Sequence, residues 1–161
     1  MKRLFKIAII GLCLSISSVA WSYDVDMARS YEKLFSPVAG AKAGKALHVM
    51  SPEVLVEKIK AGGVVLIDIR TPAESSVFTV TLPNSLVIPA NELFQPENLD
   101  LIPKDKQVVI VCKSGTRAIA IGTALRHVGF DNVYILKGGF QALSHYLGAK
   151  EANQKPAKAE K

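Results

Sequence analysis

Cys112 is the residue of this chain best placed to act as a nucleophile. It opens the run Cys112-Lys113-Ser114-Gly115-Thr116-Arg117. Before it stands the apolar, β-branched stretch Val108–Val111, which suits a buried parallel strand. After it, apolar residues recur at Ile121, Ala124, Leu125 and Val128, a helical spacing. A strand-to-helix junction sets backbone N–H groups and the positive end of a helix dipole beside the first loop residue. Both stabilise a thiolate, the form of cysteine that attacks. Gly115 supplies the backbone freedom that so short a loop needs. The N–H groups from Lys113 to Arg117 can then converge on the sulfur as a cradle for negative charge. Lys113 and Arg117 add cations suited to an anionic substrate. Lys113 fits a solvated surface lysine equally well, whereas Arg117 closes the loop at the helix start. A buried, inert thiol is the other reading of Cys112, and the polar loop favours the reactive one.

To hold such a loop, strands and helices must alternate around it. Leu47–Met50 reads as a short strand, and Ser51-Pro52-Glu53 as a helix start with Ser51 as N-cap. Leu55, Val56 and Ile59 line the apolar side of that helix, and Gly62-Gly63 ends it. Val64–Asp68 is a second strand, Thr71–Glu74 opens another short helix, and Ser85–Pro89 is a third strand. A helical turn at Asn91–Phe94 and a loop over Pro96–Lys106 lead to the strand Gln107–Val111. The helix Arg117–Val128 stops at Gly129; the strand Asn132–Leu136 and a helix from Gly138-Gly139 through Leu147 complete the series. This alternation predicts an α/β fold of three layers, with a mostly parallel central sheet of about five strands and helices on both faces. Ligands in such sheets sit at the carboxyl ends of the strands, where Cys112 stands.

The two ends of the chain read differently. Lys2, Arg3 and Lys6 precede the apolar run Ile7–Ile16, and Ala20 and Ser22 supply the small residues of a cleavage site. Residues 1–22 therefore read as a secretory signal peptide cut after Ser22, the apolar run being shorter than the ~20 residues that span a bilayer. Leu12 before Cys13 argues against a lipoprotein signal. Export, which in a bacterium means the periplasm, leaves Cys112 as the mature chain's single thiol and rules out an internal disulfide. Residues 23–45 form an extension: a weak helix with Met27, Tyr31, Leu34 and Phe35 on one face, then a linker over Ser36–Lys45. Residues 150–161 read as a lysine-rich disordered tail. Of the net charge of +6, the first residues supply three and the tail two, leaving one for the middle. With no basic stripe interleaved with aromatics there, nucleic-acid binding is disfavoured.

Four segments in order resemble a single rhodanese domain, the sulfurtransferase fold, over about Ala46–Ala149. Asp68-Ile69-Arg70-Thr71-Pro72-Ala73-Glu74 is similar to the family's D-x-R-x-x-x-E element, and Leu82-Pro83 with Ile88-Pro89 to its I-P-G-A-x-x-I-P segment. Cys112–Arg117 is similar to its six-residue active-site loop, and Gly129-Phe130 through Val133–Gly139 to its G-F-x-N-V-x-x-L-x-G-G ending. Thr81 and Asn84 depart from the family's usual His and Gly; Asn84 is expected to keep the turn because Asn tolerates left-handed geometry. The family's tryptophan after Gly-Gly is absent, with Phe140 and Tyr146 nearby instead.

The resemblance implies a sulfurtransferase. Cys112 takes a sulfane sulfur from a donor such as thiosulfate, releasing sulfite, and passes it from a persulfide to a thiol or cyanide. Lys113, Ser114, Gly115, Thr116 and Arg117 are the substrate-binding residues it implies, with Ser114 and Thr116 as hydrogen-bond donors to the outer sulfur. Phosphatases and arsenate reductases related to this fold resemble C-x5-R, one residue longer, so the C-x4-R spacing disfavours them. Asp68, Arg70 and Glu74 read as structural. His48, His127 and His145 show no ligand spacing, so no metal is expected; Gly138-Gly139 lacks the rest of a dinucleotide fingerprint, and no cofactor is expected. The alternative is a persulfide carrier that exchanges sulfur with another periplasmic protein and turns over small donors poorly. A monomer without membrane insertion after cleavage is the default.

Overall fold

The computed structural model describes residues 23–82, 84–149 and 153. The signal-peptide reading of 1–22 and the tail reading of 150–161 thus fall outside the described residues, apart from position 153. Five strands form one sheet: β1 (Val49–Met50), β2 (Val64–Asp68), β3 (Leu86–Val87), β4 (Gln107–Val111) and β5 (Val133–Leu136). Their order is β1-β5-β4-β2-β3, and each pairing is parallel. The longest register joins β2 to β4, from Val64 opposite Gln107 to Asp68 opposite Val111. Those two strands carry the most β-branched and apolar side chains, and they occupy the interior of the sheet.

Alternate residues of these strands feed opposite faces. Ile67, Val108, Ile110 and Ile135 join one core cluster with Ala118 and Leu125 of α6 (Thr116–His127). Leu66, Val109, Val111 and Leu136 join the other. Its helical side comes from Leu55 and Val56 of α3 (Pro52–Lys60) and Phe140 and Leu143 of α7 (Gly139–Tyr146). The expected three-layer α/β arrangement is what forms. α6 lies close on the sheet: a β-carbon on Gly122 would stand 2.7 Å from Ile135 Cγ1.

Several local features differ from the sequence reading. The stretch read as a linker contains a 3-10 turn at Gly40–Lys42 and α2 (Ala43–Ala46). The loop after Pro96 begins with α5 (Pro96–Leu99), proline at its first turn. Ser51 stands at the N-cap of α3, but its hydroxyl makes no capping bond to the backbone. The helix of the extension, α1 (Val25–Phe35), is capped by Asp24, which accepts the Met27 N–H at 2.9 Å. It packs on the end of α6, where Tyr31 stacks on His127 with ring centroids 4.1 Å apart. Asn84 adopts φ +63°, the left-handed turn geometry expected of it.

Candidate active site

Cys112 follows β4 directly, so the sheet aims it at the carboxyl end of the strands. It is 1 % exposed and a free thiol. Its Sγ accepts the N–H of Gly115 at 3.2 Å and of Ala118 at 3.4 Å. Gly115, at φ +92°, is the N-cap of α6, so both donors belong to the positive end of that helix. A negatively charged sulfur there meets two aimed donors and a favourable dipole. This is an anion cradle built for the side chain of its own loop.

The loop is held from outside by the start of α7. Phe140 donates its N–H to the Cys112 carbonyl at 2.7 Å, and Gln141 to that of Lys113 at 3.0 Å. Two otherwise orphan donors of α7 are thereby satisfied, and two loop peptides are fixed. The contact demands glycine: Gly139 sits at φ +59°, and a β-carbon there would stand 2.6 Å from the Gly115 nitrogen. Gly139 thus serves close backbone approach.

The flank of the loop is formed by α4 (Pro72–Val77), whose N-cap Thr71 makes a reciprocal capping box with Glu74. Glu74 also takes Arg117 with both oxygens, Arg117 Nη1 to Oε2 at 2.9 Å and Nη2 to Oε1 at 2.7 Å. The Arg117 hydrogen bonds, and then the Thr71 N–H, hold the Glu74 carboxyl down at about 2. Glu74 in turn raises Arg117 above its ordinary value, and the neighbouring Cys112 adds to that.

Among the substrate-binding candidates, Gly115 is buried under the sulfur, while Lys113, Ser114 and Thr116 are exposed. The Ser114 and Thr116 hydroxyls lie 3.4 Å from each other. Arg117 stands at the site with its terminal nitrogens committed to Glu74. Ala118, a donor to the sulfur, escaped the sequence reading because a backbone N–H carries no residue signature. Asp68 and Arg70 form a buried pair at 2.7 Å, consistent with a structural role. Arg70 also donates to the Phe78 carbonyl and lies 4.2 Å from the centre of the Phe140 ring. Beyond Phe140 an apolar hollow of about 420 Å³ opens between Val56, Ile59, Phe78 and Leu143, with no residue of 112–117 in its lining.

Known proteins match this stretch. A family model described as the rhodanese-like domain matches residues 51–145. A sulfurtransferase of Allochromatium vinosum is 37 % identical over 83 residues, covering 52 % of this chain and 74 % of that protein. The crystal structure of a rhodanese-related protein from Thermoplasma volcanium superposes with a TM-score of 0.54 at 26 % identity, covering 61 % of this chain and 91 % of the other. A rhodanese-like domain protein from Staphylococcus aureus gives a TM-score of 0.52 at 27 % identity, covering 59 % and 89 %. The chain belongs to the rhodanese-like domain family and has a sulfurtransferase among its relatives.

Proposed function

We propose that this protein is a sulfurtransferase working through a persulfide on Cys112, with a donor such as thiosulfate and a thiol or cyanide as acceptor. The Cys112 thiolate attacks the outer sulfur of thiosulfate. A sulfur–sulfur bond to Cys112 forms, and the bond to the oxidised sulfur breaks with its electron pair, releasing sulfite. An acceptor thiolate or cyanide then attacks the outer sulfur of the persulfide, regenerating the Cys112 thiolate. The observation that carries this reading is the pair of N–H groups, from Gly115 and Ala118, converging on Cys112 Sγ. They suit the thiolate that starts each cycle and ends it.

The support for an exported site of action is the basic start, the apolar run Ile7–Ile16 and the small residues Ala20 and Ser22. Amino-terminal sequencing of protein recovered from a periplasmic extract tests that part, with Tyr23 expected as the first residue. For the chemistry, the purified chain is incubated with thiosulfate and cyanide while thiocyanate is followed. Turnover is expected, and Cys112→Ser is expected to abolish it. Intact-mass measurement should show the gain of one sulfur atom on Cys112 after thiosulfate alone. Absence of that gain with every sulfane donor would sink the reading.

A further inference from the structure

Arg117 is the guanidinium beside the thiol, yet both of its terminal nitrogens are engaged by Glu74 at 2.7 and 2.9 Å. Glu74 is itself fixed, accepting the Thr71 N–H at 3.0 Å and the Thr71 hydroxyl at 3.1 Å. The pair is about two-thirds buried, so its geometry is held by packing as well as by charge. Two consequences follow. The end-on fork of Arg117 is taken by Glu74, leaving an oxyanion only the remaining N–H groups of the guanidinium. The flank of the loop also carries less positive charge than Lys113 and Arg117 alone would give it, because Glu74 cancels one of them.

The balance matters because the attacking thiolate and the incoming donor are both anions. We propose that Glu74 is a specificity-determining residue: by occupying Arg117 it levels the site's preference between doubly and singly charged sulfane donors. This rests on the sulfurtransferase reading above. The relevant pair is thiosulfate, a dianion, and an alkyl thiosulfonate, R–SO2–S⁻, which differ by one charge and share one reaction. With either, the Cys112 thiolate bonds to the outer sulfur and the bond to the oxidised sulfur breaks with its electron pair. Sulfite leaves in the first case and a sulfinate in the second. Both leave the same singly charged persulfide.

The test compares kcat and KM for thiosulfate and methanethiosulfonate, with cyanide saturating, in the full chain and two variants. Glu74→Gln keeps the size and removes the charge. Uncovering a cation ~6 Å from the donor, in a water-like dielectric, favours binding by about threefold for each donor charge. The ratio of kcat/KM, thiosulfate over methanethiosulfonate, should therefore rise about threefold in Glu74→Gln, through KM with kcat little changed. Glu74→Asp keeps the charge on a shorter arm and should retain the wild-type ratio even where its melting temperature falls. Equal losses for both donors in Glu74→Gln, or a Glu74→Asp ratio shifted like that of Glu74→Gln, would overturn the proposal. Ionic strength supplies a second readout: the thiosulfate KM should rise more steeply with salt in Glu74→Gln than in wild type, and equal slopes would show that Glu74 does not offset Arg117. If wild type forms neither thiocyanate nor a persulfide from either donor, the underlying reading fails. If it turns over and the ratio is unmoved in Glu74→Gln, only this inference fails.

Discussion

Gly139 and Cys112 are in backbone contact, and a β-carbon on Gly139 would collide with the Cys112 carbonyl oxygen. The left-handed φ of +59° at Gly139 adds a second reason for glycine. Gly139→Ala should cost about 3 kcal/mol or more and slow alkylation of Cys112, since the loop must move to make room. Gly62→Ala is the control: its φ is +74° but nothing lies within 4 Å of an added β-carbon. It should cost about 1 kcal/mol and leave the thiol's reactivity alone. Urea denaturation and iodoacetamide labelling read both effects.

The Glu74 carboxyl is held at about 2, below its ordinary 4.5, chiefly by Arg117. A depressed carboxyl gives stability that is complete above the unfolded value and is lost as pH falls through the folded one. The wild-type advantage in melting temperature over Glu74→Gln should therefore be constant from pH 8 to pH 5. It should shrink between about pH 4.5 and about pH 2. A difference that vanishes already by pH 6 would contradict the pairing.

Asp68 is 1 % exposed and has Arg70 as its ion partner at 2.7 Å. Arg70→Met strands a buried carboxylate and should cost about 3–5 kcal/mol. The double variant Asp68→Asn/Arg70→Met should recover a large part of that loss. A double-mutant cycle in urea gives the coupling directly, and strict additivity would argue against the pair.

His48 sits at φ +54°, its Nδ1 3.1 Å from the Val133 carbonyl oxygen and its ring stacked on Tyr134. Burial is the main cause holding its pKa below 6.5. For a histidine that folds preferentially neutral, stability is complete above 6.5 and declines as pH falls through the folded value. His48→Asn, which tolerates the left-handed backbone, should flatten the loss of stability below pH 6.5. Denaturation at pH 8, 6 and 5 measures the change in slope.

The central strands were legible because β2 and β4 are uninterrupted apolar runs, a pattern that few other arrangements accommodate. The short helical pieces at Gly40–Lys42, Ala43–Ala46 and Pro96–Leu99 were not, since three or four residues are too few to show a period. At the site, the sulfur and its loop could be read from residue types. The restraint placed on them could not. Glu74 lies 43 positions from Arg117, and its place in the opening of a short helix gave it a structural reading with no distant partner. Gly138-Gly139 was visible as a family ending, but Gly139 admits one backbone against another, and that partner is known only once the chain is folded.

The outermost strands, β1 and β3, are two residues long. An open sheet normally leaves rows of unpaired peptide groups along its borders, where a neighbouring molecule can add itself as another strand. Here the longer strands β2, β4 and β5 lie inside, and each border offers a template of one residue pair. Such short borders, followed by Pro52 after β1 and Pro89 after β3, offer little template for edge-to-edge association. An insertion that lengthened β1 or β3 would remove that protection.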